Sequence, residues 1–221
     1  MPRWQALALV VLALSTALPG AVRADPAAEG KAALSEMNDD VVAILRQEKI
    51  DPIQRRALVE HFLTSNLDLA HMAAEALGTH IEVMNKREFA EFSEEYSHFL
   101  THLYVREIAW AKEDGRGFEI VDVEADSETG EVTLQTRAAM RSSMANVAPK
   151  RTQRRRVEFE GSYRLRQRHG KWRIIAIRFN GVDLNQVFGS QFASLLERKS
   201  PEALIEELRR RNEENQGKNP F

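Results

Sequence analysis

Glu94, His98 and His102 recur at four-residue intervals, so a helix through them presents one line of metal-type ligands along a single edge. A mononuclear metal draws its ligands from several converging elements, and a solvated helix edge accounts better for such a line. His61, His71, His80 and His169 show no paired spacing at all. General acid–base chemistry needs a carboxyl or phenol with a displaced pKa, and Asp68 and Tyr104 are the residues to examine for it. Asp68 serves equally well as a helix cap. The chain has no cysteine, which removes thiol chemistry, a disulfide framework and a cysteine-linked lipid anchor. It has no glycine-rich phosphate loop and no G-x-S-x-G. No cofactor or metal is therefore expected.

One strongly charged run stands out, Lys150-Arg151-Thr-Gln-Arg154-Arg155-Arg156. It reads as a charged hairpin loop leading into a strand. It also reads as a patch, carried by Lys150, Arg151, Arg154 and Arg155, for anionic head groups or an acidic partner surface. Each such cation near a charged membrane contributes about 1 kcal/mol. No aromatic residue is interleaved, as a single-strand nucleic-acid groove would require. With 31 basic against 33 acidic residues the chain is slightly acidic, which argues against general nucleic-acid binding.

The first 24 residues carry Arg3, an apolar run from Ala6 to Leu18, a Pro19-Gly20 break and Val22-Arg23-Ala24. That order marks a secretory signal peptide with cleavage after Ala24. An uncleaved anchor is the alternative, but the run falls short of the roughly 20 residues a spanning helix needs. Secretion without disulfides suits the periplasm. The remaining chain is long enough for one cored domain, 25–213, with a polar tail at 214–221.

The elements that must position these groups follow from periodicity. Residues 25–30 read as a frayed leader. Leu34, Met37, Val41, Ile44 and Leu45 form one helical stripe, and Asp51-Pro52 starts a second helix carrying Leu58, Phe62, Leu63 and Leu67. A break falls near Ser65-Asn66, and Gly78 stops the next helix. Asn85 with Glu88 makes a capping box. The long helix it opens lines up Phe89, Phe92, Tyr96, Phe99, Leu103 and Tyr104. After Gly115 and Gly117 the period becomes alternating. Strands are predicted over 118–124, 131–141, 154–167 and 172–179, the last apolar on both sides and so placed centrally. Asp183 with Gln186 caps a helix carrying Phe188 and Phe192, and Ser200-Pro201-Glu202 opens the last one. The class is α+β, with helices packed on one face of a curved antiparallel sheet.

From Trp172 the chain reads Trp-Arg-Ile-Ile-Ala-Ile-Arg-Phe, then Gly181-Val182-Asp183-Leu184, Ser190-Gln191-Phe192 and Leu195-Leu196. Pro201-Glu-Ala-Leu-Ile205 continues the pattern. A second block is Asp68-Leu-Ala-His-Met72-Ala-Ala-Glu-Ala-Leu-Gly78, followed by Phe89, Phe92, Phe99-Leu100 and Tyr104. Together these resemble the MlaC/toluene-tolerance family of periplasmic phospholipid-binding proteins over roughly residues 31–213. Thr79-His80-Ile81, Asn180 and Phe188-Gly189 depart from the family pattern.

The resemblance implies a nuclear-transport-factor-like fold with an apolar pocket and no chemistry. It implies a carrier that moves phospholipid, or a hopanoid-like lipid if the chain lies in the hopanoid-associated branch. The partners would be inner- and outer-membrane lipid transport complexes, with transient membrane association. The lining would be Phe62, Leu67, Met72, Phe92, Phe99, Leu103, Tyr104, Val132, Leu134, Phe159, Tyr163, Phe188 and Phe192. The same residues would equally fill a solid core. Two other classes stay open, an isomerase or hydrolase of an apolar substrate and a non-catalytic scaffold.

Overall fold

In the computed structural model, which describes residues 25–111, 117–141 and 156–221, an Asp-Pro pair starts each of the first two helices. Asp25 accepts from the Ala27 amide and opens α1, Pro26–Arg46; Asp51 accepts from Gln54 and opens α2, Pro52–Asn66. Each carboxylate satisfies one of the four free amides at a helix start, and each proline occupies a position whose amide would be unpaired anyway. Residues 25–30 are thus helical rather than frayed. Gly30 is buried against Val132, where a Cβ would stand 3.0 Å from that side chain.

Within α2 the inward face is Arg55, Val59 and Leu63, whereas Leu58 is exposed. Arg55 is 4% exposed. Its guanidinium donates to the Ile44, Leu45 and Gln47 carbonyls at 2.9, 2.8 and 2.5 Å. It thereby satisfies the carbonyls that the end of α1 leaves open, at the negative pole of that helix.

The chain breaks at Leu67, as its sequence suggests, and Asp68 caps α3, Leu69–Leu77. A short 3-10 helix, Gly78–Val83, leads to the capping box. Asn85 Oδ1 accepts from Arg87 and Glu88, and the Glu88 carboxylate accepts from the Asn85 amide at 2.8 Å. That box opens α4, Lys86–Ala111.

Five strands form one antiparallel sheet in sequence order: β1 Glu119–Ala125, β2 Val132–Arg141, β3 Arg156–Arg168, β4 Lys171–Phe179 and β5 Val182–Asp183. β4 is not central. Its outer neighbour is the two-residue β5, with a parallel bridge from Leu67 to Ile174 farther along. Its doubly apolar run comes from a bulge. Leu165 pairs with Ile174 and Arg164 with Ala176, leaving Ile175 extra, so Ile174 and Ile177 point to the same side. β1 repeats this at Val121, which is exposed while Ile120 and Val123 both pack on the core. Two-residue turns join β3 to β4 and β4 to β5. His169-Gly170 and Asn180-Gly181 all take positive φ, the turn whose twist matches paired strands.

Asp183 accepts from the Asn185 and Gln186 amides and opens α5, Leu184–Leu196; α6 is Pro201–Gln216. α6 thus runs past residue 213. The carbonyls of Gln216 and Lys218 accept from Arg56, and Phe221 packs against the core. No helix among the described residues is long and apolar enough to cross a membrane. The leader, 1–24, lies outside them.

Candidate functional site

The aromatic stripe of α4 meets α5 rather than standing free. Phe92 stacks on Tyr96 with ring centroids 5.5 Å apart, and Phe192 sets its edge against both, at 5.6 and 5.4 Å. Phe188 meets Phe99 edge-on at 4.8 Å. These are the offset and edge-to-face arrangements that ring quadrupoles favour. α5 comes close enough to α3 for this because residue 189 is glycine. A Cβ there would lie 2.6 Å from the Ala76 carbonyl oxygen.

A second aromatic group belongs to the sheet. Tyr163 stacks on Phe118 at 5.1 Å and faces the edge of Phe179 at 6.5 Å. Next to it Gly161 pairs with Thr136, whose hydroxyl occupies the space a Cβ at 161 would need. Tyr104, on α4, is buried in the same hydrophobic cluster. Burial raises its pKa, and Asp183 and Tyr163 stand near enough to oppose its ionisation further.

Of the residues predicted to line a pocket, all but Phe159 belong to one hydrophobic cluster or pack against it. They divide by exposure. Leu67, Met72, Phe92, Tyr104, Val132, Leu134 and Phe192 are sealed by their neighbours, and Phe99 nearly so. Phe62, Leu103, Phe159, Tyr163 and Phe188 are only half-buried. Sealed side chains act as packed wall in this conformation; a ligand needs surface that is still free. Half-buried Ile108, Phe118, Ile120 and Phe179 share that cluster's margin and were not singled out in the sequence. The first two adjoin the segment joining α4 to β1, and the bulge at Val121 hides the inward direction of Ile120. Lys150, Arg151, Arg154 and Arg155 lie outside the described residues.

A groove of about 600 Å³ runs between α5 and α6. Phe192 alone of the predicted lining residues borders it, and its rim mixes Lys199, Glu207, Arg210 and Arg211. An open groove with charge of both signs at its rim does not enclose hydrocarbon. The cluster between the helices and the sheet is therefore the better candidate site.

The groups with reactive potential are committed elsewhere. Asp68 caps α3 through the His71 amide and pairs with Arg168 at 2.8 Å. Burial pushes its pKa up, but the Arg168 hydrogen bond, the His71 amide and the Arg168 charge together bring it below its usual value. It stays ionised and caps a helix. Tyr104 is displaced in the opposite direction, so neither is poised near neutrality to exchange a proton. Glu94 and His98 are exposed and His102 is half-buried. Among the described residues no three His, Asp or Glu side chains come together as a metal site.

The polar side of β3 is engaged rather than left to water. Arg164 pairs with Glu75 and Glu131, Arg166 contacts His71 Nδ1 at 3.0 Å and Glu131 at 3.5 Å, and Arg168 holds Asp68. One flank of α3 is thereby matched to alternate residues of the strand.

Comparison with known proteins agrees with this arrangement. The family model described as MlaC protein matches residues 35–210. A similar solved structure is that of the phospholipid-binding protein from Ralstonia solanacearum in complex with a phospholipid. It is 16% identical, with 84% of this chain and 98% of that chain covered and a TM-score of 0.63. At that identity the likeness is one of fold. Neither match points to the hopanoid-associated branch. Comparison with curated proteins gives no match.

Proposed function

The chain belongs to the MlaC family, and on that footing we propose that it is a non-catalytic periplasmic carrier of phospholipid. The observation that supports this most directly is the set of half-buried apolar side chains packed on the cluster between helices and sheet: Phe62, Leu103, Phe118, Tyr163 and Phe188. A carrier must replace the bilayer around acyl chains. Leaving them in water costs about 0.8 kcal/mol per CH₂, on the order of 20 kcal/mol for two tails. The half-buried residues supply contact surface, and the sealed ones behind them supply rigidity. Lys150, Arg151, Arg154 and Arg155 would meet anionic head groups or an acidic partner, and inner- and outer-membrane transport complexes would hand lipid on and receive it. The leader directs export.

The test is native mass spectrometry of the protein purified from a bacterium that exports it, followed by lipid extraction. A phospholipid released in near one-to-one ratio is the expected result. Protein that is empty as purified, and still empty after incubation with phospholipid vesicles, would overturn the reading.

A further inference from the structure

Three side-chain pairs join α3 to β3, and the middle one differs in kind. Arg168 holds Asp68 at 2.8 Å and Arg164 holds Glu75, both as ion pairs. Between them Arg166 Nη2 stands 3.0 Å from His71 Nδ1. A guanidinium only donates, so Nδ1 accepts and the ring hydrogen sits on Nε2. That nitrogen is buried and has no hydrogen-bond partner among the described residues. The middle link therefore exists only while His71 is neutral. A proton on Nδ1 sets donor against donor and cation against cation.

Each partner has an alternative within its own layer. Arg166 also reaches Glu131, at the entry to β2, at 3.5 Å. His71 follows Asp68 by three residues and precedes Glu75 by four, spacings at which side chains meet on a helix. The charges acting on His71 are Arg166 and Arg164 from β3, and Glu75 and Asp68 from α3 itself. From β4, Arg173 is occupied by the Leu67 carbonyl. α4 and α5 meet α3 through neutral groups: Asn185, which accepts from Tyr96, donates to the Met72 carbonyl, and Gly189 rests on Ala76.

We propose that His71 is a pH-sensitive latch between α3 and the sheet, in which protonation exchanges its contact with Arg166 for one with Glu75. Arg166 then turns to Glu131, and Glu75 lets go of Arg164. Asp68 stays in place as the hinge, held by Arg168 and by its own amide on the Ile174 carbonyl at 2.9 Å. Met72, Ala73 and Ala76 face the core from α3, so what comes loose is part of the helical wall of the candidate site. The latch goes beyond the carrier reading and needs no cargo to operate. Its window follows from linkage. Burial and the Arg166 charge hold latched His71 below its ordinary 6.5, so the released form binds the proton more tightly. Opening grows as pH falls below 6.5, by up to about tenfold per pH unit, and levels off once latched His71 is itself protonated. Asp68 is held below 3.8, so the hinge keeps its charge in that window.

Hydrogen exchange followed amide by amide by NMR from pH 7.5 to pH 4.5, corrected for the intrinsic chemical rate, reads the opening. Protection of the Met72 to Leu77 amides, taken relative to those of β2 and β3, is expected to fall about tenfold in the wild type. His71→Gln keeps an oxygen that accepts from Arg166 but takes up no proton, and there the relative fall should vanish. A wild-type ratio that stays constant, whether both sets weaken together or neither does, overturns the proposal. So does a His71→Gln protein in which the ratio still depends on pH. If that variant does not fold, the wild-type ratio alone decides.

Discussion

The Tyr96 hydroxyl donates to Asn185 Oδ1 at 2.8 Å, across 89 positions of sequence, and both groups are buried. The same Asn185 amide donates through Nδ2 to the Met72 carbonyl at 3.2 Å. One side-chain amide therefore joins α3, α4 and the start of α5, behind the aromatic contacts that form the helical wall. Removing only the phenolic oxygen isolates its contribution. Tyr96→Phe is expected to cost about 1–3 kcal/mol, because Asn185 Oδ1 stays buried and loses its donor. Thermal unfolding followed by circular dichroism should show a midpoint lower by several degrees. An unchanged midpoint would mean the bond is energetically idle.

Arg55 makes a separable prediction. Its guanidinium serves three carbonyls at the end of α1, a geometry that a point-like ammonium does not reproduce. Arg55→Ala should lower unfolding free energy in urea by about 3 kcal/mol, since hydrogen bonds from a charged donor contribute about 1.5–3 kcal/mol each and are not additive. Arg55→Lys should recover less than half of that loss. Full recovery by lysine would show that charge at the helix end, not the fork, does the stabilising.

Gly189 tests the approach of α5 to α3. Because a Cβ there would press on the Ala76 backbone, Gly189→Ala should destabilise by about 1–3 kcal/mol, although alanine favours helix by about 1 kcal/mol over glycine. A stabilised variant would show that the two helices can separate at no cost.

Acid should weaken the fold in two stages. Folding holds His71 below its ordinary value of 6.5 through burial and the Arg166 charge, and burial does the same to His102 with Arg56 nearby. The unfolded chain takes up those protons first, so this contribution is complete above pH 6.5 and fades as pH falls below it. Asp68 is held below 3.8. Its contribution is complete above that value and is lost as pH drops through its folded pKa. In urea titrations from pH 8 to pH 2, His71→Gln should flatten part of the first decline. Asp68→Asn, which keeps a capping side chain but not the ion pair with Arg168, should flatten the second and lower stability at neutral pH. A wild-type profile flat between pH 7 and pH 4 would refute the histidine part.

Local signals were readable in the sequence because their partners are a few residues apart. The Asp51-Pro52 start, the Asn85 and Glu88 box, the Asp183 cap and the Asp68 cap all appear where the residues indicate. The Asp25-Pro26 start has the same chemistry but sits among small residues that read as a leader. Arg55 was invisible because its partners are carbonyls of the preceding helix, which no residue type announces. Bulges at Val121 and Ile175 break strict alternation, and a broken alternation reads as a strand wet on the wrong face or buried on both. For the candidate lining the sequence carries direction and not depth. Helical and strand periods say which way Phe92 or Val132 points, not whether a neighbour has already covered it.

The margins of the sheet limit how the molecule can meet others. On one side β1 is bulged at Val121 and carries Glu119, Asp122 and Glu124. On the other, Asp68 donates its amide to the Ile174 carbonyl at 2.9 Å, and the two-residue β5 occupies the far part of β4. Strands with free, flat backbone recruit foreign strands, and charge, bulges and short covering segments are the means of preventing it. Such a molecule can be crowded without polymerising through its backbone. Recognition by another molecule is thereby left chiefly to side chains.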